Sequence, residues 1–215
     1  MTDTGETSRP SALRRVRRIL WAVVGVALVG LGATLAVKRA DTPTTPQAAT
    51  ATRPAIGGPF ALTDPDGRTV TDETLKGKPF AIFFGFTRCP DVCPTTLNDL
   101  SMLHKQLGPE AERLNIVFVS VDPEQDGRED IKQYLTLFDA PIIGLTGTDE
   151  QLRQIAKVYR VFFEKVSQGD DDYTIDHTAT VFLMDANGQF VSTIDMHESR
   201  EVALEKLRRL VSRTA

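Results

Sequence analysis

Residues 79–100 read PFAIFFGFTRCPDVCPTTLNDL and join an apolar run to two closely spaced cysteines. The run at residues 80–84 has the length and aromatic content of a β-strand buried on both faces, as in a parallel sheet covered by helices. Pro94 suits the first turn of a helix, and leucines at helical spacing continue the pattern to Gly108. The stretch therefore predicts a strand, a loop and a helix with both cysteines at the junction.

The segments on either side of this unit alternate between strand and helix patterns. In chain order they are a hairpin at residues 60–71, strands at 115–121 and 142–145 alternating with helices at 127–138 and 149–159, a hairpin at 179–194 and a helix at 198–212. Residues 160–176 include consecutive aspartates and are predicted to form an exposed loop, because like charges resist burial. This order predicts an α/β, thioredoxin-like fold over residues 56–215.

The first 55 residues have a different character. Four arginines between residues 14 and 18 precede residues 19–37, a run of about 19 residues without a charge, which is close to the length that crosses a membrane. A cleaved signal peptide would have a shorter apolar core, of about 7 to 15 residues, and a cleavage site of small residues. The pattern therefore predicts an uncleaved single-pass anchor at residues 19–38, with the basic residues 1–18 in the cytoplasm and the rest of the chain on the periplasmic or extracytoplasmic side of the cell membrane.

Residues 39–55 are rich in threonine, proline and alanine, a composition that cannot bury apolar surface. We interpret them as a flexible linker to a single globular domain at residues 56–215. The formal net charge of −4 and the pI of about 5.4 argue against nucleic acid as a partner, because phosphate binding requires a clustered positive surface.

Cys89 and Cys93 are the only cysteines of the chain, too few for a disulfide scaffold. At the start of a helix, unpaired N–H groups and the helix dipole stabilise a thiolate, which can serve as a metal ligand or as a redox centre. Two thiolates leave a soft metal ion short of a ligand, and His177 is the best candidate for the third, because the segment entering the 179–185 strand should face the cysteine helix. A structural disulfide is the alternative, although so short a loop would add little stability. His104 and His197 are interpreted as a packing residue and an exposed residue.

Four motifs resemble the Sco/SenC family of copper chaperones, and the resemblance runs from about residue 56 to the end. They are GFTRCPDVCP at residues 85–94, VDPEQD at 121–126, GLTG at 144–147 and DHT at 176–178. The resemblance implies a thioredoxin-like fold, an N-terminal membrane anchor and a copper ion bound by Cys89, Cys93 and His177. It also implies delivery of copper to the binuclear centre of cytochrome c oxidase subunit II, and it names no copper donor.

Two questions remain open at the level of sequence. Asp122 either orients the site without binding the metal or forms a turn before Pro123. A thiol–disulfide reductase acting on the cysteines of the oxidase subunit would use the same two cysteines, which would cycle through a redox disulfide, but would not need His177. A redox or copper sensor would use the same site.

Overall fold

The computed structural model describes residues 16–17, 19–26, 56–169, 172–195 and 197–213. The chain divides into two units, Met1–Ala51 and Thr52–Ala215. In the first, residues 16–17 and 19–26 are helical. The rest of the predicted anchor and the predicted linker lie outside the described residues, among which no helix is both long enough and apolar enough to cross a membrane.

The second unit is a mixed α/β domain in which the predicted strands and helices occur in the predicted order, together with further elements that the sequence did not predict. The strands are β1 (Ala61–Thr63), β2 (Thr69–Thr71), β3 (Phe80–Gly85), β4 (Asn115–Ser120), β5 (Ile142–Leu145), β6 (Phe163–Gly169), β7 (Asp172–His177), β8 (Val181–Met184) and β9 (Phe190–Ile194). The helices are α1 (Asp72–Leu75), α2 (Val92–Leu107), α3 (Arg128–Leu135), α4 (Asp149–Tyr159) and α5 (Arg200–Ser212), with a 3₁₀ helix at Gly108–Arg113.

The central sheet has the strand order β5-β4-β3-β8-β9. Strands β3, β4 and β5 are parallel, whereas β8 is antiparallel to β3 and β9 is antiparallel to β8. All six residues of β3 are buried, as expected for a middle strand covered on both faces. Helix α2 buries a leucine stripe and packs against α5. The sheet therefore fixes the carboxyl end of β3, from which the cysteine loop leaves.

Capping explains where some of the helices begin. The Thr148 hydroxyl accepts a hydrogen bond from the Gln151 N–H at 3.3 Å, while the Gln151 side chain accepts one from the Thr148 N–H at 2.8 Å. This reciprocal pair satisfies two backbone donors and starts α4 at Asp149, as predicted. Ser199 caps α5 through a hydrogen bond from the Val202 N–H, so that helix begins two residues later than predicted.

The prediction of an exposed loop at residues 160–176 was wrong in its conformation. Strands β6 and β7 form a two-stranded antiparallel sheet there. Most of β6 is exposed, as the charges indicated, but the backbone hydrogen bonds of a hairpin do not require burial of its side chains. The difference matters because β7 ends at His177.

Candidate metal centre

Cys89 lies in the loop between β3 and α2 and takes part in starting the helix. Asp91, the residue that precedes the first turn, makes no side-chain capping hydrogen bond. Instead, the Cys93 N–H donates to Cys89 Sγ at 3.4 Å. First-turn N–H groups have no partner within their helix, so the sulfur accepts a donor that would otherwise be unpaired. This contact and the helix dipole both favour a negative charge on Cys89.

Cys93 is fully buried, in the first turn of α2 and against Gly85 of β3. A Cβ atom at Gly85 would lie 2.7 Å from Cys93 Sγ, closer than real Cβ contacts allow. The glycine that ends the strand therefore leaves the space that the second sulfur fills.

His177 reaches the cysteines from the hairpin. Its Nε2 lies 3.4 Å from Cys93 Sγ, and its Nδ1 lies 3.2 Å from the carbonyl oxygen of Thr178. The rings of Phe83 and Phe86 meet the imidazole edge to face, with centroids at 6.1 and 5.9 Å. In the tautomer in which Nδ1–H donates to the Thr178 carbonyl, the Nε2 lone pair faces the sulfurs and is free to bind a metal.

The three side chains form one cluster. The Sγ atoms of Cys89 and Cys93 and a ring nitrogen of His177 all lie within 4.8 Å of one another, and both cysteines are free thiols. Within the described part of the chain this is the one group of three or more His, Cys, Asp or Glu side chains that could hold a metal ion. Two sulfurs and one imidazole suit a soft cation such as Cu(I). His104 lies on α2 and exposed His197 lies just before α5, both outside the cluster.

The pKa values of the two cysteine thiols are shifted in opposite directions. A hydrogen bond from the Cys93 side chain, helped by contacts from His177 and from backbone N–H groups, lowers the pKa of Cys89 to about 4 against the opposing effect of burial. The same hydrogen bond, together with burial and the charge on Cys89, raises the pKa of Cys93. At neutral pH the site therefore holds one thiolate, on the half-buried Cys89, and one thiol, on the buried Cys93.

We expect native, metal-free protein to be alkylated at Cys89 by iodoacetamide at a nearly constant rate from about pH 5.5 to pH 8, because Cys89 is already a thiolate throughout this range. A thiol of ordinary pKa, about 8.5, would be almost entirely protonated at the lower pH and would react slowly there. The rate should fall only as the pH approaches the Cys89 pKa of about 4. Peptide mapping by mass spectrometry measures each cysteine separately. Cys89→Ser is the control and should leave the remaining thiol nearly unreactive; a rate that instead rises steadily through pH 8 would contradict the assignment.

Asp122, the residue with two open interpretations, follows β4 and is fully buried. Its Oδ1 accepts a hydrogen bond from the Tyr173 hydroxyl at 2.8 Å, and its Oδ2 accepts one from the Arg88 guanidinium at 3.3 Å. Its carbonyl also closes a turn by accepting the Asp126 N–H at 2.8 Å. The residue thus forms a turn and also contacts the segments that carry Cys89 and His177.

Sequence reasoning missed Asp126, which is 1% exposed. Its Oδ2 accepts hydrogen bonds from the Thr87 N–H at 2.8 Å and the Ser120 hydroxyl at 2.6 Å, and its Oδ1 accepts one from the Thr87 hydroxyl at 2.6 Å. Burial raises the pKa of Asp126 despite these donors. The carboxylate fixes Thr87, two residues before Cys89. The signal in the sequence is the acidic residue that ends the VDPEQD motif, whose other buried aspartate is Asp122.

Comparisons with known proteins identify a family and several similar proteins. A model of the SCO1/SenC family matches residues 48–212. The mitochondrial protein SCO2 of Saccharomyces cerevisiae is 38% identical over 157 residues, 72% of this chain and 52% of that protein, so the chain spans about half the length of this relative. A SCO2-like protein of Rickettsia felis is 34% identical over 187 residues, 84% of this chain and 91% of that protein.

Two solved structures confirm the α/β fold. The structure of Bradyrhizobium japonicum ScoI with copper bound is 47% identical, covers 73% of this chain and 99% of the solved chain, and has a TM-score of 0.68. Yeast Sco1 with copper bound is 35% identical, covers 74% of this chain and 90% of the solved chain, and has a TM-score of 0.69. The residues matched by the family model, 48–212, include Cys89, Cys93 and His177.

Proposed function

Because this chain belongs to the SCO1/SenC family, we propose that residues 56–215 form a copper chaperone domain. Its cargo is a copper ion held by Cys89, Cys93 and His177, and its acceptor is the binuclear copper centre of cytochrome c oxidase subunit II. The observation that carries the proposal is the set of three ligand atoms within 4.8 Å of one another. Copper-bound structures of two similar proteins support the choice of metal.

The donor set matches the chemistry of Cu(I), which prefers thiolate and imidazole ligands in low coordination numbers. Cys89 supplies a thiolate at neutral pH, whereas Cys93 must lose its proton when the metal binds. Copper loading is therefore coupled to release of about one proton. Cys89 and His177 are half-buried and Cys93 is fully buried. An acceptor's own thiolate or imidazole would accordingly reach the ion from the side of Cys89 and His177, and transfer would proceed by ligand exchange.

We also propose that the domain is tethered to the cell membrane, with residues 19–38 as a single-pass anchor and residues 39–55 as the linker. Support comes from the uncharged run and the arginines that precede it, which favour a cytoplasmic N-terminus and a periplasmic domain. The tether would let the copper site move above the membrane surface while it stays near a membrane-embedded acceptor.

His177→Ala tests the three-ligand site. We expect the reduced full-length chain to bind one Cu(I) and the variant to bind it at least tenfold more weakly, a loss of about 1.4 kcal/mol, because the imidazole is one of three donors. The measurement is anaerobic titration against a competing Cu(I) chelator. His104→Ala is the matched control: it removes a half-buried histidine outside the cluster and should leave the affinity unchanged. If His177→Ala binds copper as tightly as the wild type, the three-ligand site is wrong.

A thiol–disulfide reductase is the second candidate, favoured by the contrast between the two cysteines. The Cys89 thiolate would attack a disulfide of the oxidase subunit and release one of its sulfurs as a thiolate. Cys93 would then attack the mixed disulfide, leaving a Cys89–Cys93 disulfide and a reduced substrate. These two steps need the low pKa of Cys89, which is due mainly to the hydrogen bond from the Cys93 side chain, and they do not need His177 as a ligand. Normal reductase activity in His177→Ala together with unchanged copper binding would therefore favour the reductase, whereas a copper sensor that uses the same site would lose copper affinity in this variant.

A further inference from the structure

The proposed copper ligands come from two segments that are distant in the chain. Cys89 and Cys93 belong to the segment between β3 and α2, whereas His177 ends the β6–β7 hairpin. A site assembled in this way requires the hairpin to be held in one position relative to the cysteine loop. The contacts of Asp122, which follows β4, meet this requirement.

Asp122 contacts both segments at once. Arg88, the neighbour of Cys89, donates to Asp122 Oδ2 at 3.3 Å, and the hydroxyl of Tyr173, on β7, donates to Asp122 Oδ1 at 2.8 Å. The Arg88 guanidinium also lies 4.9 Å from the centre of the Tyr173 ring, and the Lys165 ammonium lies 4.6 Å from it. Asp122 is fully buried, so its carboxylate depends on these two donors instead of on water, even though the Arg88 side chain is 40% exposed.

Tyr173 can fix the position of His177 because both residues lie on strand β7. Side chains at alternate positions of a β-strand lie on the same face, so Tyr173, Ile175 and His177 share one face of β7. Ile175 is buried, which shows that this face is turned toward the domain. At the other end of the hairpin, Thr178 exchanges two hydrogen bonds with Phe162, from the Thr178 N–H to the Phe162 carbonyl at 3.0 Å and from the Phe162 N–H to the Thr178 hydroxyl at 3.1 Å. The hairpin is therefore fixed near its base by Thr178 and further out by Tyr173.

We propose that Tyr173 and Asp122 are positioning residues for copper binding: the Tyr173–Asp122–Arg88 bridge holds the β6–β7 hairpin against the cysteine loop and so sets His177 Nε2 opposite the two sulfurs. The inference rests on the proposed copper site. Neither Tyr173 nor Asp122 touches the ion; each acts through a neighbouring ligand.

The test is a double-mutant cycle on Cu(I) affinity with the reduced full-length chain, its Tyr173→Phe and His177→Ala variants, and the double variant. Tyr173→Phe removes only the hydroxyl that contacts Asp122 and keeps the ring beside Arg88 and Lys165. We expect it to weaken Cu(I) binding about fivefold when His177 is present, equivalent to about 1 kcal/mol, and less than twofold when His177 is alanine. A merely structural role would weaken binding equally in both backgrounds, so that result would overturn the proposal.

Tyr134→Phe is the matched control, because it removes a buried hydroxyl that has no hydrogen-bond partner among the described residues. It should leave the copper affinity unchanged. If His177→Ala weakens binding but Tyr173→Phe does not, the positioning role fails and the copper site stands. If His177→Ala itself binds as the wild type does, both the site and the positioning role fail.

Discussion

Cys93→Ser is expected to weaken Cu(I) binding by the reduced chain at least a thousandfold, about 4 kcal/mol. Serine offers a hard, protonated oxygen in place of a soft thiolate, and Cu(I) binds such an oxygen poorly. Cys93 is also fully buried against Gly85, so water has no access to the position of its sulfur. Anaerobic competition against a high-affinity Cu(I) chelator measures the change.

The same substitution separates the sulfur's role as a ligand from its role in packing. Thermal unfolding of the metal-free variant shows whether the domain still folds, and Cys93→Ala serves as a second variant that adds no buried hydroxyl. Both variants should lose copper to the same extent while differing in stability. Copper binding within tenfold of wild type in either folded variant would remove Cys93 from the ligand set and leave Cys89 and His177 as an incomplete pair.

The parts of the fold that follow from sequence are those with strong apolar patterns. The run at residues 80–84 was predicted as a buried strand and lies in the middle of the sheet, where every position of β3 is buried. Helix α4 begins at Asp149 as predicted, because Thr148 and Gln151 form a recognisable cap. Helix α2 begins at Val92, so Pro94 lies in its first turn as predicted, and there the Cys89 sulfur accepts a hydrogen bond from the Cys93 N–H. No propensity rule contains that contact.

The candidate metal centre could be predicted from the sequence because the chain has only two cysteines and three histidines. Two cysteines separated by three residues and a histidine before a late strand were sufficient to predict the cluster that the structure brings together, although their role as ligands stays a prediction. Tyr173 was missed because it lies in the segment predicted as a loop, where charged residues obscured the alternation of a strand. Asp126 was missed because a buried aspartate and a turn-forming aspartate look alike in sequence. Only the tertiary contacts with Thr87 and Ser120 distinguish them.

Asp126→Ala is expected to lower the free energy of unfolding of the metal-free protein by about 3 kcal/mol. The carboxylate accepts three hydrogen bonds, two from Thr87 and one from Ser120, and its removal leaves these donors without their partner inside the domain. Because burial raises the pKa of Asp126, the folded state binds the carboxyl proton more tightly than the unfolded state does. The stabilisation due to this group is therefore greatest below its unfolded pKa of about 4 and declines as the pH rises through the folded value.

The stability gap between wild type and Asp126→Ala should accordingly be larger near pH 4 than at pH 7, as measured by urea unfolding at both values. Asp139→Ala is the control, because that side chain is 88% exposed and forms its ion pair with the exposed Lys105, so the change should stay within about 0.5 kcal/mol. Loss of Asp126 also frees Thr87 and the cysteine loop that follows it, so copper affinity should fall in the same variant. A loss of stability below about 1 kcal/mol would show that the buried carboxylate does not hold this loop, and a gap that grows as the pH rises would show that the pKa of Asp126 is not raised in the folded state.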